Sequence, residues 1–343
     1  MAGLTLDRRG LIAGAAAAAA ALPEVAKAAV RWSPGGLKAV EDEARASEVR
    51  GMVVLAAGHP VLQFGEPAAV DRIASCRKSF LCALYGIALR DRKIDLDAHI
   101  GDLGIDDYTK LTDLEKSATV RQLLQARSGV YIPSSAETPA MKAARPARGS
   151  HPPGTFWYYN NWDFNVLGEI YQRLTGWSVF QAFEHQLARP LGFQDFDPLR
   201  DARYGYDPQA PRFPAYNLWL SARDMAKFGQ LYLQQGRWKG VEIVPADWVA
   251  LTTKPISPTG RKGIESGYAW LWWGDMDPSS GLPPGSYLAA GNGGRYIIVM
   301  PAIDTVIAWQ PFEVRGRPQA KIYTEDGALD RLILKVVAAR QAI

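Results

Sequence analysis

The chain has 343 residues, 48% of them hydrophobic and 22% charged, with a formal net charge of +4 and only two cysteines. That composition excludes a disordered chain and a disulfide-built scaffold, and it supplies ample apolar sequence for a core. The positive charges are scattered without a dense Lys/Arg block, so nucleic-acid binding has no support.

The first feature in chain order is the stretch from Leu4 to Leu22, which pairs Arg8 and Arg9 with a short, alanine-rich apolar segment. It is similar to a twin-arginine export signal spanning residues 1–28, with Ala26-Lys27-Ala28 as a small-residue cleavage site. On that reading the protein is exported, periplasmic or secreted. An uncleaved N-terminal anchor is the alternative, although the apolar core is shorter than a spanning helix. No later segment is long and apolar enough to span a bilayer, so no stable membrane span is expected after signal removal.

Leu37–Glu48 reads as a helix, and Gly51–Ala57 with Val61–Phe64 as a hairpin turned at Gly58-His59-Pro60. The run Ile73 to Leu84 then sets Ser75 and Lys78 three residues apart at the head of an apolar segment. Phe80 to Leu89 is apolar on nearly every face, which predicts a helix buried on all sides with Ser75 at or near its N-terminus. The first-turn N–H groups of such a helix have no partner within it and can donate to an oxyanion. Lys78 shares a face with Ser75. Desolvation lowers a lysine's pKa until its amine can take a proton from a hydroxyl. Ser-x-x-Lys is a short pattern that also arises by accident, so its weight depends on what accompanies it.

Cys76 and Cys82 lie six residues apart, about 120° around a helix, and cannot bridge within it. No His or Asn motif accompanies either, so both read as buried small hydrophobes.

Thr119–Gly129 reads as a short helix with a cap residue at its start and glycine at its end. From there to about Val249 the pattern is mostly helical, broken by loops at Ser134–Pro153 and Arg200–Pro214. Pro153 to Gly168 concentrates aromatic and amide side chains before an amphipathic helix. A phenol near a lysine ammonium can be held as phenolate, or share its proton, and relay protons between nucleophile and leaving group. A structural aromatic cluster is the alternative.

Toward the C-terminus, Tyr268–Trp273, Tyr287–Ala290, Arg295–Met300 and Thr305–Trp309 are short β-type runs. Ala289 to Arg295 is a strand dissolving into glycines, which marks either a close approach of ligand to backbone or a bulge. A final helix carries Leu329, Leu332, Ile333, Val336 and Val337 on one stripe and should cover one face of the sheet. The expected fold class is α/β of the α+β kind: an antiparallel sheet built from the N- and C-terminal parts and flanked by helices. A helical region is inserted at roughly 75–249, within one domain over 29–343.

Taken together and in order, these stretches resemble the serine β-lactamase and penicillin-binding-protein superfamily, in particular its class C-like esterases and 6-aminohexanoate-dimer hydrolases. The first motif, Ser-x-x-Lys, matches Ser75 and Lys78; the second, Tyr-x-Asn, is preceded by Pro-Gly and followed by Leu-Gly, and matches Tyr159 and Asn161, with Tyr158 in reserve. The likeness runs on through Ser128-Gly129, Pro190-Leu191-Gly192, Ser221 to Gly229 and Pro245 to Trp248, almost the whole mature chain. It implies a β-lactamase-like fold and an acyl-enzyme on Ser75, with Lys78 and Tyr159 handling the proton and Asn161 orienting lysine or substrate. The backbone N–H groups of Ser75 and Asn292 would form the oxyanion hole.

The chain departs from the pattern in the third motif. β-Lactamases carry Lys-Thr-Gly or Lys-Ser-Gly there, whereas Ala289-Ala290-Gly291 offers no cation, which puts β-lactam hydrolysis in doubt. Gly291 and Gly293 remain candidates for the substrate's backbone approach, and Arg295 either recognises an anionic substrate group or faces solvent. Trp157, Tyr158, Trp162, Trp219 and Tyr296 are candidate aromatic walls, with core packing the alternative for at least half of them.

There is no Gly-x-Ser-x-Gly elbow, and His59, His99, His151 and His185 stand in no catalytic context. No His-Glu-x-x-His or comparable ligand cluster occurs, so no metal or other cofactor is expected. The expected partner is a small-molecule ester or amide. The rival readings are a non-catalytic sensor on the same scaffold and a true β-lactamase or D-Ala-D-Ala peptidase.

Overall fold

The computed structural model describes residues 30–208, 210–312 and 327–342, and the proposed export signal lies outside the described residues. Ser33 follows the short strand β1 (Val30–Trp32), and its hydroxyl accepts from the Gly36 N–H. With Pro34 in the first turn, it starts helix α1 (Pro34–Ala46). The hairpin of β2 (Val49–Ala56) and β3 (His59–Gly65) turns at Ala57 and Gly58, with φ of +49° and +78°. The expected turn at Gly58-His59-Pro60 is therefore one step early in the structure. His59 and Pro60 open β3, which tolerates proline because it is an edge strand.

β4 (Val70–Arg72) leads through a tight turn, Ala74–Cys76, into α2 (Arg77–Arg90), buried along almost its whole length as its apolar faces require. The expected helix at Thr119–Gly129 is shorter, Val120–Leu124. Thr119 and Gln122 form a reciprocal capping box at its start, and Ala126 takes the left-handed conformation soon after its end. Helix α3 (Asn161–Thr175) ends on Gly176, also left-handed.

The largest departure from the sequence reading lies at Arg200–Pro214, expected as a loop. β5 (Ala202–Asp207) and β6 (Ala210–Ser221) form a long hairpin there, and β6 also pairs with β4. Pro211 and Pro214 fall where the β5–β6 register shifts, so neither breaks the regular part of the ladder.

After α4 (Ala222–Leu233) and a small hairpin of β7 (Arg237–Trp238) and β8 (Val241–Glu242) come β9 (Ser257–Pro258), β10 (Gly267–Tyr268) and β11 (Trp273–Gly274). The run Tyr268–Trp273 is thus a turn between two strands rather than one strand, with Leu271 at φ +61°. β12 (Tyr287–Gly291), β13 (Arg295–Met300) and β14 (Thr305–Pro311) follow as expected. α5 (Ala328–Ala339) and β15 (Arg340–Ala342) close the described chain.

The main sheet has the antiparallel order β3-β2-β14-β13-β12-β11-β10-β9, joining both ends of the chain at β2–β14. Buried Leu329, Leu332, Ile333 and Val336 seat α5 on α1, which lies on β2 and β3. α4 sits against the sheet where Gly229 meets Val306 and Ile297. Among the described residues no helix is long and apolar enough to cross a membrane.

Candidate active site

Ser75 is the middle residue of the Ala74–Cys76 turn, so it stands just ahead of α2 rather than inside its first turn. Ala74 is held at φ +48°, a strained value for a residue with a Cβ. The surroundings fix that turn. The Ile73 N–H donates to the Leu218 carbonyl at 3.0 Å, and Sγ of Cys76 lies 3.3 Å from the Arg295 carbonyl and 3.5 Å from that of Ala289. A Cβ added to Gly291 would lie 2.4 Å from the Ile73 carbonyl oxygen. The end of β12 is pressed against the Ser75 turn that closely.

Nζ of Lys78 stands 2.8 Å from Oγ of Ser75 and 2.8 Å from the hydroxyl of Tyr159. The amine also lies 4.6 Å from the ring centre of Phe164. Its environment is apolar and positively charged. Burial pushes the Lys78 amine well below its usual pKa, and the nearby charges of Arg77 and Arg72 push the same way. Burial raises the Tyr159 hydroxyl to about 12, against the opposing pull of its hydrogen bond to Ser75 and the charge of Arg77. Both shifts favour the uncharged forms, a neutral phenol beside an amine poised to be neutral.

Between the two tyrosines the structure is clear. The Tyr158 hydroxyl donates to the Met141 carbonyl at 2.8 Å, while Tyr159 meets the lysine. Asn161 does not bond to Lys78. Its amide donates to the Ala136 carbonyl at 2.6 Å, and its buried Oδ1 has no hydrogen-bond partner among the described residues. Asn160 caps α3 and donates to the Val130 carbonyl and to Oδ1 of Asp163, a buried carboxyl whose pKa desolvation raises well above the ordinary range.

Asn292 follows Gly291 directly and is exposed in the β12–β13 turn, while Gly293, at φ +86°, leaves room for the Arg295 guanidinium. Arg295 corrects the solvent-facing option. It is 6% exposed, and its guanidinium donates to the Arg72 and Asn292 carbonyls at 2.9 Å each, bracing the turn beside Ser75.

The aromatic candidates divide. Trp162 is buried and donates to Asp107, and Tyr296 is buried against Trp309, so both are core. Trp157 is half-buried and packs on Tyr268 and Trp273, which also flank Tyr159. Trp219, under the Arg203 guanidinium at 4.1 Å, lines a cavity of about 420 Å³ with Arg72, Ser135, Ala136 and Tyr204. Both cysteines are buried and unbridged, as expected of small hydrophobes.

Sequence reasoning missed Phe164, Tyr268, Trp273 and the Ala136 carbonyl, which reach the site only through long-range packing. It also passed over Arg77, one of the two residues between the nucleophile candidate and the lysine. An arginine inside an otherwise apolar helix head was the signal available for it.

The antiparallel sheet, its helical insertion and the serine–lysine–tyrosine triangle define the architecture of serine β-lactamases and penicillin-binding proteins. The family model described as Beta-lactamase matches residues 39–310, and the chain belongs to that family. It is 23% identical over 277 residues to an uncharacterised protein of Alkalihalophilus pseudofirmus, covering 74% of this chain and 76% of that one. A putative 6-aminohexanoate-dimer hydrolase from Bacillus anthracis shares the fold with a TM-score of 0.63 at 19% identity, over 87% of this chain and 80% of that one. A putative β-lactamase from Bacteroides dorei does so with a TM-score of 0.65 at 15% identity, over 90% and 100% respectively.

Proposed function

We propose that the protein cleaves an ester or amide bond through an acyl-enzyme on Ser75. The observation that carries this is the position of Lys78 Nζ, 2.8 Å from both the Ser75 and Tyr159 oxygens. As Oγ bonds to the substrate carbonyl carbon, its proton passes to the neutral amine and the carbonyl electrons move onto oxygen. The N–H groups of Ser75 and Asn292 stabilise that oxyanion. When the tetrahedral intermediate collapses, the leaving oxygen or nitrogen takes the proton from Lys78 through Tyr159. Water, deprotonated by the same pair, then attacks the ester carbonyl and releases the acid and Ser75.

The aromatic rings of Trp157, Tyr268 and Trp273, packed around Tyr159, favour an apolar acyl or alcohol portion. The absence of a cation at Ala289 and Ala290 favours esters or simple amides over β-lactams. Export through the twin-arginine route belongs to the same reading and rests on Arg8 and Arg9.

A fluorophosphonate probe tests the nucleophile. The protein should be labelled and Ser75→Ala should not; labelling that persists in the variant would move the nucleophile elsewhere. Side-by-side turnover of short-chain nitrophenyl esters, aminohexanoate dimers and nitrocefin ranks the substrate classes. No turnover of any of them, with no labelling, would favour a non-catalytic binding protein.

A further inference from the structure

Arg77 opens α2 and is 2% exposed, an unusual place for a guanidinium. Its guanidinium lies 5.0 Å over the Tyr216 ring, and Nη1 makes one long contact of 3.4 Å with the Ala74 carbonyl. Nε and Nη2 are buried with no hydrogen-bond partner, and no carboxylate forms an ion pair with it among the described residues. A buried guanidinium without a counter-ion is destabilising, and charges that perturb a neighbouring base cluster at functional sites.

The groups facing Lys78 show where it is used. On its own segment they are Ser75, Cys76 and Arg77; β4 contributes Arg72, and the segment entering α3 contributes Tyr159. β12 brings Ala289 and Gly291 against the turn, β13 brings the buried Arg295 beside it, and β6 presents Tyr216 to Arg77. Cys76 is held as a neutral thiol by burial, and the two full charges acting on the amine, those of Arg77 and Arg72, are both positive.

We infer that Arg77, buried without a counter-ion one residue before the base, is a positioning residue that keeps the Lys78 amine unprotonated and ready to accept the Ser75 proton. This rests on the proposed acyl-transfer reading and adds a source for the base's activation within the first motif itself. The direction of the Lys78 shift, to which Arg77 contributes second after burial, agrees with it.

The test compares the parent with Arg77→Met and Arg77→Gln by the second-order rate of fluorophosphonate labelling across about pH 5 to 10. Removing the charge should move the acid limb to higher pH by about one unit, a roughly tenfold loss on the limb that is recovered at alkaline pH. A limb that stays in place, or a rate lowered equally at every pH, overturns the inference. ¹³C NMR titration of the Lys78 side chain, assigned by its loss in Lys78→Met, reads the same quantity in variants too slow to label. An unmoved Lys78 titration in Arg77→Met likewise overturns it. Labelling that survives Ser75→Ala would sink the acyl-transfer reading instead, while the NMR titration still judges Arg77. A variant that unfolds at lower temperature without moving the Lys78 titration would make Arg77 a packing residue only.

Discussion

The α-carbon of Gly291 faces the carbonyl oxygen of Ile73 so closely that a methyl group between them would sit 2.4 Å from that oxygen. The atom in the way is backbone, two residues before Ser75, and it cannot rotate aside. Gly291→Ala should therefore push β12 away from the Ser75 turn. We expect a stability loss of about 1–3 kcal/mol from overpacking. We also expect a roughly 10²–10³-fold fall in labelling rate as the Asn292 N–H leaves its place. Thermal unfolding and probe kinetics measure both; a variant that labels at the parental rate would show that the third stretch plays no part in the chemistry.

The two adjacent tyrosines should separate cleanly. Tyr159→Phe removes the hydroxyl that meets Lys78 and should lower kcat by about 10²–10⁴-fold. Tyr158→Phe removes only a bond to the Met141 carbonyl, with an expected loss of about 1 kcal/mol in stability and little in rate. Reversal of that order would transfer the proton relay to Tyr158.

The pH profile follows from the two shifts. Lys78 acts as a base only when unprotonated, and burial lowers its pKa, so kcat/KM should rise through a limb well below the ordinary lysine range. The Tyr159 hydroxyl does not ionise until about 12, so no descending limb belonging to it should appear below about pH 10. A bell centred near neutrality would require a different acid.

Asp163 gives a stability prediction of known sign. Its folded pKa is raised, so between the unfolded value and the folded one the native state holds a proton that the unfolded chain releases. Stability conferred at low pH is thus lost as pH rises through that window. Asp163→Asn keeps an acceptor for Ser128 and Asn160, and should flatten this slope and leave the protein at least as stable near pH 8, whereas Asp163→Ala should destabilise it by about 1–3 kcal/mol. Chemical denaturation at several pH values decides; an unchanged slope in Asp163→Asn would assign it to another group.

Much of the architecture was legible because it depends on local pattern. The apolar faces of α2 and the short β-type runs of β12 to β14 announce themselves over a few residues, and so does the order of the motifs. What stayed hidden depends on distant partners. The prolines at 211 and 214 mimic a loop, yet the residues on either side of them, Ala210 and Ala215 to Leu218, pair with β5. Arg77 gives no sign that Tyr216 will cover it, and Asn161 gives no sign that the Ala136 carbonyl will take its amide rather than Lys78.

The pairing of β2 with β14 sets Ala56 against Thr305 and Gly51 against Gln310, so the central seam of the sheet joins segments from opposite ends of synthesis. A ribosome must deliver the chain from residue 49 through residue 311 before that seam can zip, and contacts of such long sequence separation form slowly. The Ser75 turn, braced by β12 and β13, is thus assembled only at the end. A truncated or still-growing chain carries the serine and the lysine but no hydrolase, and folding helpers that hold the N-terminal third open until release should raise the yield of labelled protein.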